Sequence, residues 1–166
     1  MTLFKKTSVL GFLLIVGLLA GSGARAQSDE IKAAREEVIQ NLADIQAIEA
    51  DTLLTAAEKK EKSFALKKTA LSNLCTLSLL ESAETLEKLE KAKLIGQSEP
   101  FLPLRTDLIA HFLNYENYFG ELRDAILTAE TEEQLRALAD QFEEKRELAY
   151  NVDVEKAGKL LLILHV

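Results

Sequence analysis

From Ala56 to Ile95 the chain contains neither proline nor glycine. Thr55 and Glu58, three apart, have the spacing of a capping box. The threonine oxygen can accept from an orphan N–H at the helix start while the glutamate reaches back to the N–H of Thr55. Gly96 offers the left-handed residue that closes a helix. The stretch therefore predicts a single helix over 56–95, a rod of roughly 60 Å at 1.5 Å per residue. A rod of that length cannot bury its apolar side alone, so every other segment must be disposed along it.

The flanking segments read as helices too. Ser28 can cap a helix running to about Ala50, with Asp29 and Glu30 well placed for its dipole. Ile31, Val38, Leu42, Ile45 and Ile48 fall on one face of it. The short connection at Asp51–Leu54 makes the first two helices antiparallel neighbours. On the long helix Ala57, Phe64, Leu71, Cys75, Leu79, Leu86 and Leu89 form a stripe. Leu74, Leu77 and Leu80 widen that stripe, so the middle of the rod is the predicted centre of the core. Glu58/Lys62, Glu84/Lys88 and Glu87/Lys91 stand four apart in the favourable order and mark solvated faces.

Gly96 to Pro103 reads as a loop, with Pro103 in the first turn of a third helix over 103–129. Leu104, Leu108, Phe112, Tyr115, Phe119, Leu122 and Ile126 step by three or four along it. Gly120 interrupts this seam at a cost of up to ~1 kcal/mol relative to Ala. Thr131 and Gln134 repeat the capping-box spacing and start a fourth helix over 132–150, with Leu135, Leu138, Phe142 and Ala149 on its inner face. Asn151-Val152-Asp153 reads as a break, with Asp153 capping a short last helix over 154–165. Two prolines, no tryptophan and a chain of 166 residues fit one all-α domain. The expected architecture is an elongated antiparallel four-helix bundle with a short C-terminal addition. It sets the lysines at 59, 60, 62, 67 and 68 beside Glu130, Glu132 and Glu133.

The first 26 residues have the form of a signal peptide. Lys5 and Lys6 precede an apolar run from Val9 to Ala20, and Ala24-Arg25-Ala26 has the small-x-small pattern that precedes cleavage. The mature chain is expected to begin at Gln27 and to be periplasmic or extracellular. The alternative is anchoring by an uncleaved leader, although its apolar run is shorter than the ~20 residues a spanning helix needs. Removing Lys5, Lys6 and Arg25 from 20 basic residues leaves 17 against 27 acids, or −10 in place of −7. Such a surface repels phosphate backbones, which argues against nucleic acid as a partner. Cys75 is the only cysteine. It sits in the most apolar part of the long helix, where a small buried hydrophobe is expected and not a nucleophile; an intermolecular disulfide, which needs an exposed thiol, is the alternative. The terminal run Leu160–Val166 is too short to cross a bilayer. It can pack into the core, dock on a partner or a membrane surface, or be the end of a shortened domain.

No motif of catalysis emerges. There is no Cys-x-x-Cys-His for covalent haem, no Glu-x-x-His for a di-iron centre, no glycine-rich phosphate loop and no Gly-x-Ser-x-Gly elbow. Neither an enzyme nor a cofactor is expected. Asp107 and His111, one turn apart, are the weak candidates for a metal, against a histidine simply bonded to Asp107 or to a backbone carbonyl. Tyr115 and Tyr118 make the third helix the aromatic one and are the candidate partner contacts, against core and rim roles. Leu54-Thr55-Ala56-Ala57-Glu58 resembles the Leu-Thr-x-x-Gln element of small helical periplasmic chaperones, with Glu58 in place of glutamine; five residues imply no family. The expectation is an exported, non-enzymatic interaction module of the cell envelope: a scaffold, adaptor or chaperone-like helper that binds a protein or a second copy of itself. A small-ligand or metal-binding bundle and a membrane-associated protein are the alternatives.

Overall fold

The structure, a computed structural model, describes residues 28–92 and 100–164. The expected signal peptide, the loop residues around Gly96, and His165 and Val166 lie outside them. The described residues form α1 (Asp29–Ala50), α2 (Ala56–Lys91), α3 (Leu102–Thr128), α4 (Glu132–Lys145) and α5 (Asn151–Ile163), with a π-helical turn at Arg146–Tyr150 between the last two. No strand occurs among them.

The helix starts are where local chemistry puts them. Ser28 Oγ accepts from Ile31 N at 3.3 Å. Thr55 and Glu58 close a full capping box, as do Thr131 and Gln134. Glu58 is thereby spent on the cap, while Glu84–Lys88 and Glu87–Lys91 pair as their spacing predicts. The long helix stops at Lys91, four residues short of the expected end at Ile95. Ala92 is already extended, with φ −61° and ψ 119°. Arg105 from the next helix takes the freed carbonyls, its Nε and Nη2 donating to Leu89 O and Glu90 O at 2.7 and 2.8 Å. Those bonds do the work expected of a glycine closure, because orphan C-terminal carbonyls need donors from somewhere.

At 36 residues α2 is the spine of the molecule. It packs along α1 and along α3, and the last rod, made of α4, the π-helical turn and α5 in succession, packs onto α2 and α3. The result is an elongated antiparallel four-helix bundle with a long second helix. Leu71, Leu74, Cys75 and Leu77 of α2 are fully enclosed, together with Val38 of α1 and Phe112, Phe119 and Ile126 of α3. The core centre thus lies where the apolar surface of the rod is widest. Ala57, at the exposed N-terminal turn, drops out of the expected stripe. Of the five lysines expected beside Glu130, Glu132 and Glu133, Lys60 meets Glu132, and Lys67 turns instead to Glu49 of α1. Lys60 Nζ lies 3.9 Å from Glu132, Lys67 Nζ 3.7 Å from Glu49, and Lys68 Nζ donates to Ala129 O at 2.9 Å.

The break expected at Asn151–Asp153 is absent. The helix passes straight through these residues after widening by one turn, in which the N–H of Asn151 donates to Arg146 O, five residues back. Phe142, Arg146 and Tyr150 are spaced by four, and each such step drifts about 40° round a regular α-helix. The wide turn removes that drift and keeps all three buried. Beyond it Asp153, Ala157, Leu160, Leu161 and Leu164 continue the inner face, while Leu162 and Ile163 face solvent. No helix among the described residues is long and apolar enough to cross a membrane.

Candidate functional site

The π-helical turn delivers Tyr150 into the aromatic seam of α3. Its ring meets those of Tyr115, Phe119 and Phe112 edge-on, with centroids 5.3, 5.4 and 6.1 Å away. Such T-shaped contacts align ring edges with ring faces and favour one arrangement of the helices. Arg146, also on the turn, is buried. It donates from Nη1 to Ser78 Oγ and from Nη2 to Glu81 Oε2 at 3.0 Å. Arg35 of α1 donates to the other oxygen of Glu81 at 3.0 Å. One carboxylate of the spine therefore holds two guanidiniums from two other parts of the chain.

One helical turn further along, Asp153 points back at α3. Its Oδ2 accepts from Tyr115 OH at 2.7 Å and lies 2.9 Å from His111 Nδ1. Its Oδ1 accepts from Lys156 Nζ at 2.9 Å. Burial alone would raise this carboxyl, but the hydrogen bonds from Tyr115, Lys156 and His111 together outweigh it and hold Asp153 below its usual range. Burial, reinforced by the bond to Asp153, pushes the Tyr115 phenol up, so it stays a donor. With Nδ1 of His111 turned to a carboxylate, Nε2 is its unspent nitrogen, an acceptor when the imidazole is neutral.

These groups form the floor of a cleft of about 390 Å³ between α3 and the last rod. His111, Asn114 and Tyr115 line one wall; Lys145, Leu148, Ala149, Val152, Asp153 and Lys156 line the other. Leu148 is 73% exposed and Val152 43%. They stand one turn apart beside the wide turn, so they share a face. Lys145 Nζ lies over the rings of Tyr118 and Tyr115, 5.1 and 5.3 Å from their centroids. Among the described residues no carboxylate forms an ion pair with it.

Of the residues singled out from sequence, His111 and Tyr115 meet in this site. Asp107 does not join them: it is exposed, and Asp153 takes the place expected of it as the partner of His111. No group of three or more His, Cys, Asp or Glu that could hold a metal ion occurs among the described residues. Tyr115 is 4% exposed and bonded to Asp153, in the core role the sequence also allowed it. Tyr118 remains half-buried at the rim, its hydroxyl on Gln141 O at 3.1 Å. Asp153, Lys145 and Lys156 were not anticipated from the sequence. The signal for Asp153 was there: Phe142, Arg146, Tyr150, Asp153 and Ala157 step by four, four, three and four. An acid on that inner face needs buried donors.

The site can accept, donate and hold charge. Its lining contains no serine, threonine or cysteine. No family model matches the chain, and neither a curated protein nor a solved structure is significantly similar to it.

Proposed function

We propose that the chain is an exported, non-enzymatic helical module that binds another protein through the cleft face between α3 and the last rod. Export is the reading of the leader, with its basic start, apolar run and Ala24-Arg25-Ala26. The binding reading rests on one observation above the rest. At the wide turn two apolar side chains, Leu148 and Val152, are held outside the core beside a polar cluster, centred on the buried Asp153 and Tyr115, whose members are already bonded to one another. A pre-formed polar floor costs little further ordering on binding, and exposed leucine and valine supply apolar area to be covered. π-Helical turns are frequent at functional sites.

The test is site-directed photo-crosslinking in the cell that makes the protein. A photoreactive residue at Leu148 should give an adduct with a discrete second protein. The same residue at Leu53, 92% exposed on the turn between α1 and α2, should not. Val152→Glu should abolish the Leu148 adduct while leaving the helical circular dichroism spectrum intact. Equal adducts from both positions, or none from Leu148, would reject the cleft face as the binding surface.

A further inference from the structure

The cleft also carries information about the chemistry of what it binds, and this step rests on the reading of that cleft as the binding site. Its charges do not cancel. The Lys156 ammonium and the Asp153 carboxylate neutralise each other at 2.9 Å. Lys145 sits on the faces of Tyr118 and Tyr115, and no ion pair opposes it among the described residues. A ring face attracts a cation but adds no negative charge, so it steadies the ammonium without neutralising it. Asn114 on the facing wall is exposed and lines the same cleft. Its amide can donate two further hydrogen bonds. One net cation with an amide nearby suits one negative charge.

The apolar part of the lining lies on the same side. Lys145, Leu148, Ala149 and Val152 follow one another along the wall from the end of α4 through the wide turn. A group paired with Lys145 would lay its adjoining atoms over Leu148 and Val152. A phosphate is a poor fit. It would bring up to two charges to one free ammonium, with no guanidinium in the lining to grip it and an ionised Asp153 on the floor. The surplus of acids over the whole chain, 27 against 20 bases, opposes polyanions further.

We infer that the cleft takes a carboxylate attached to an apolar body, the carboxylate on Lys145 and Asn114 and the apolar part on Leu148 and Val152. Two sources present that chemistry: a free fatty acid, or an acidic side chain or chain terminus beside an apolar residue on a protein partner.

Decanoate, below its micellar concentration, is the probe. Titrated into the purified protein, it should bind saturably, raise the melting temperature and shift the imidazole resonances of His111. Decyltrimethylammonium has the same tail and the opposite charge and should do none of these. Acetate, which lacks the tail, should bind at least about tenfold more weakly. Lys145→Gln should weaken decanoate about tenfold, the scale of one charge-assisted hydrogen bond. Lys88→Gln, on a solvated face of α2, should leave it unchanged. Equal binding of the two detergents, or full affinity in Lys145→Gln, would overturn the inference. Competition separates the sources. If decanoate suppresses the Leu148 crosslink, a protein partner presents the same chemistry to the cleft. If decanoate binds with Lys145 dependence and leaves the crosslink intact, the carboxylate site takes a free acid and the protein's contact with Leu148 does not occupy it. A Leu148 crosslink in a protein that ignores decanoate would leave the binding surface standing and refute the carboxylate.

Discussion

Asp153 keeps a negative charge in a place where burial opposes one, and Tyr115, Lys156 and His111 are the reason. A carboxyl whose pKa is lower in the folded state than in the unfolded one stabilises the fold at pH values above its unfolded pKa. That contribution is lost as the pH falls through the folded value. The protein should therefore lose stability on acidification through and below the ordinary aspartate range. Asp153→Asn should be less stable than the natural chain near neutrality and should show a flatter decline toward low pH. Thermal melts at a series of pH values would check this; parallel curves for the two proteins would mean that Asp153 is not responsible. Cys75 is the opposite case. Enclosed by apolar side chains of the core, its thiol is pushed up to about 12 and remains un-ionised at neutral pH. It should resist a maleimide in the native state and react fully in denaturant. Size exclusion with and without reductant should give the same profile. Rapid native labelling would show that the middle of α2 opens readily.

Among the elements, Gly120 is at odds with its position. It lies inside α3, and a Cβ built there meets nothing within 4 Å. Gly120→Ala should therefore stabilise the protein by about 0.5–1 kcal/mol, read as a rise in the denaturation midpoint at unchanged slope. A loss of stability would mean that something covers this surface. The same scale explains what could be read from the sequence. Both capping boxes, the Ser28 cap and Pro103 in the first turn were legible because their chemistry lies within four residues along the chain. The seam from Leu108 to Ile126 was legible because one helical period repeats through it. The wide turn was not, since its causes lie across the molecule: Arg146 reaches Ser78 and Glu81, and Tyr150 enters the rings of α3. Asp153 was mistaken for a cap because aspartate is a good one, and only the tertiary position of Tyr115 and His111 gives it other work. The site was therefore half legible. The residues on α3 were found from their aromatic clustering, and those on the last rod were hidden by the presumed break.

Across the whole molecule, apolar burial along α2 is non-directional and would tolerate more than one placement of the last rod. The cluster of Arg35, Glu81 and Arg146 does not. Glu81 divides its two oxygens between a guanidinium from α1 and one from the wide turn, each at 3.0 Å, so both must arrive at one level of the spine. Ordinary helix packing supplies the affinity between these elements, and this carboxylate supplies their register. Glu81→Gln changes the volume of the side chain little and keeps one acceptor. It nevertheless leaves the Arg146 side chain, 6% exposed, with a hydroxyl at Ser78 and no counter-charge, across from a second guanidinium. Breaking a buried pair from one side costs roughly 3–5 kcal/mol, whereas exposed pairs are worth ~0–1 kcal/mol. Lys60→Gln, which removes the 3.9 Å contact with Glu132 at the rim, is the matched control and should cost less than ~1 kcal/mol. If the cluster sets the placement of the last rod, Glu81→Gln should do more than lower the denaturation midpoint. It should also release the wide turn, so that amide exchange quickens across Arg146–Tyr150 while the middle of α2 stays protected. A midpoint shift with no local change in exchange would assign Glu81 to overall stability alone. The placement of Leu148 and Val152 at the cleft would then depend on the aromatic contacts of Tyr150.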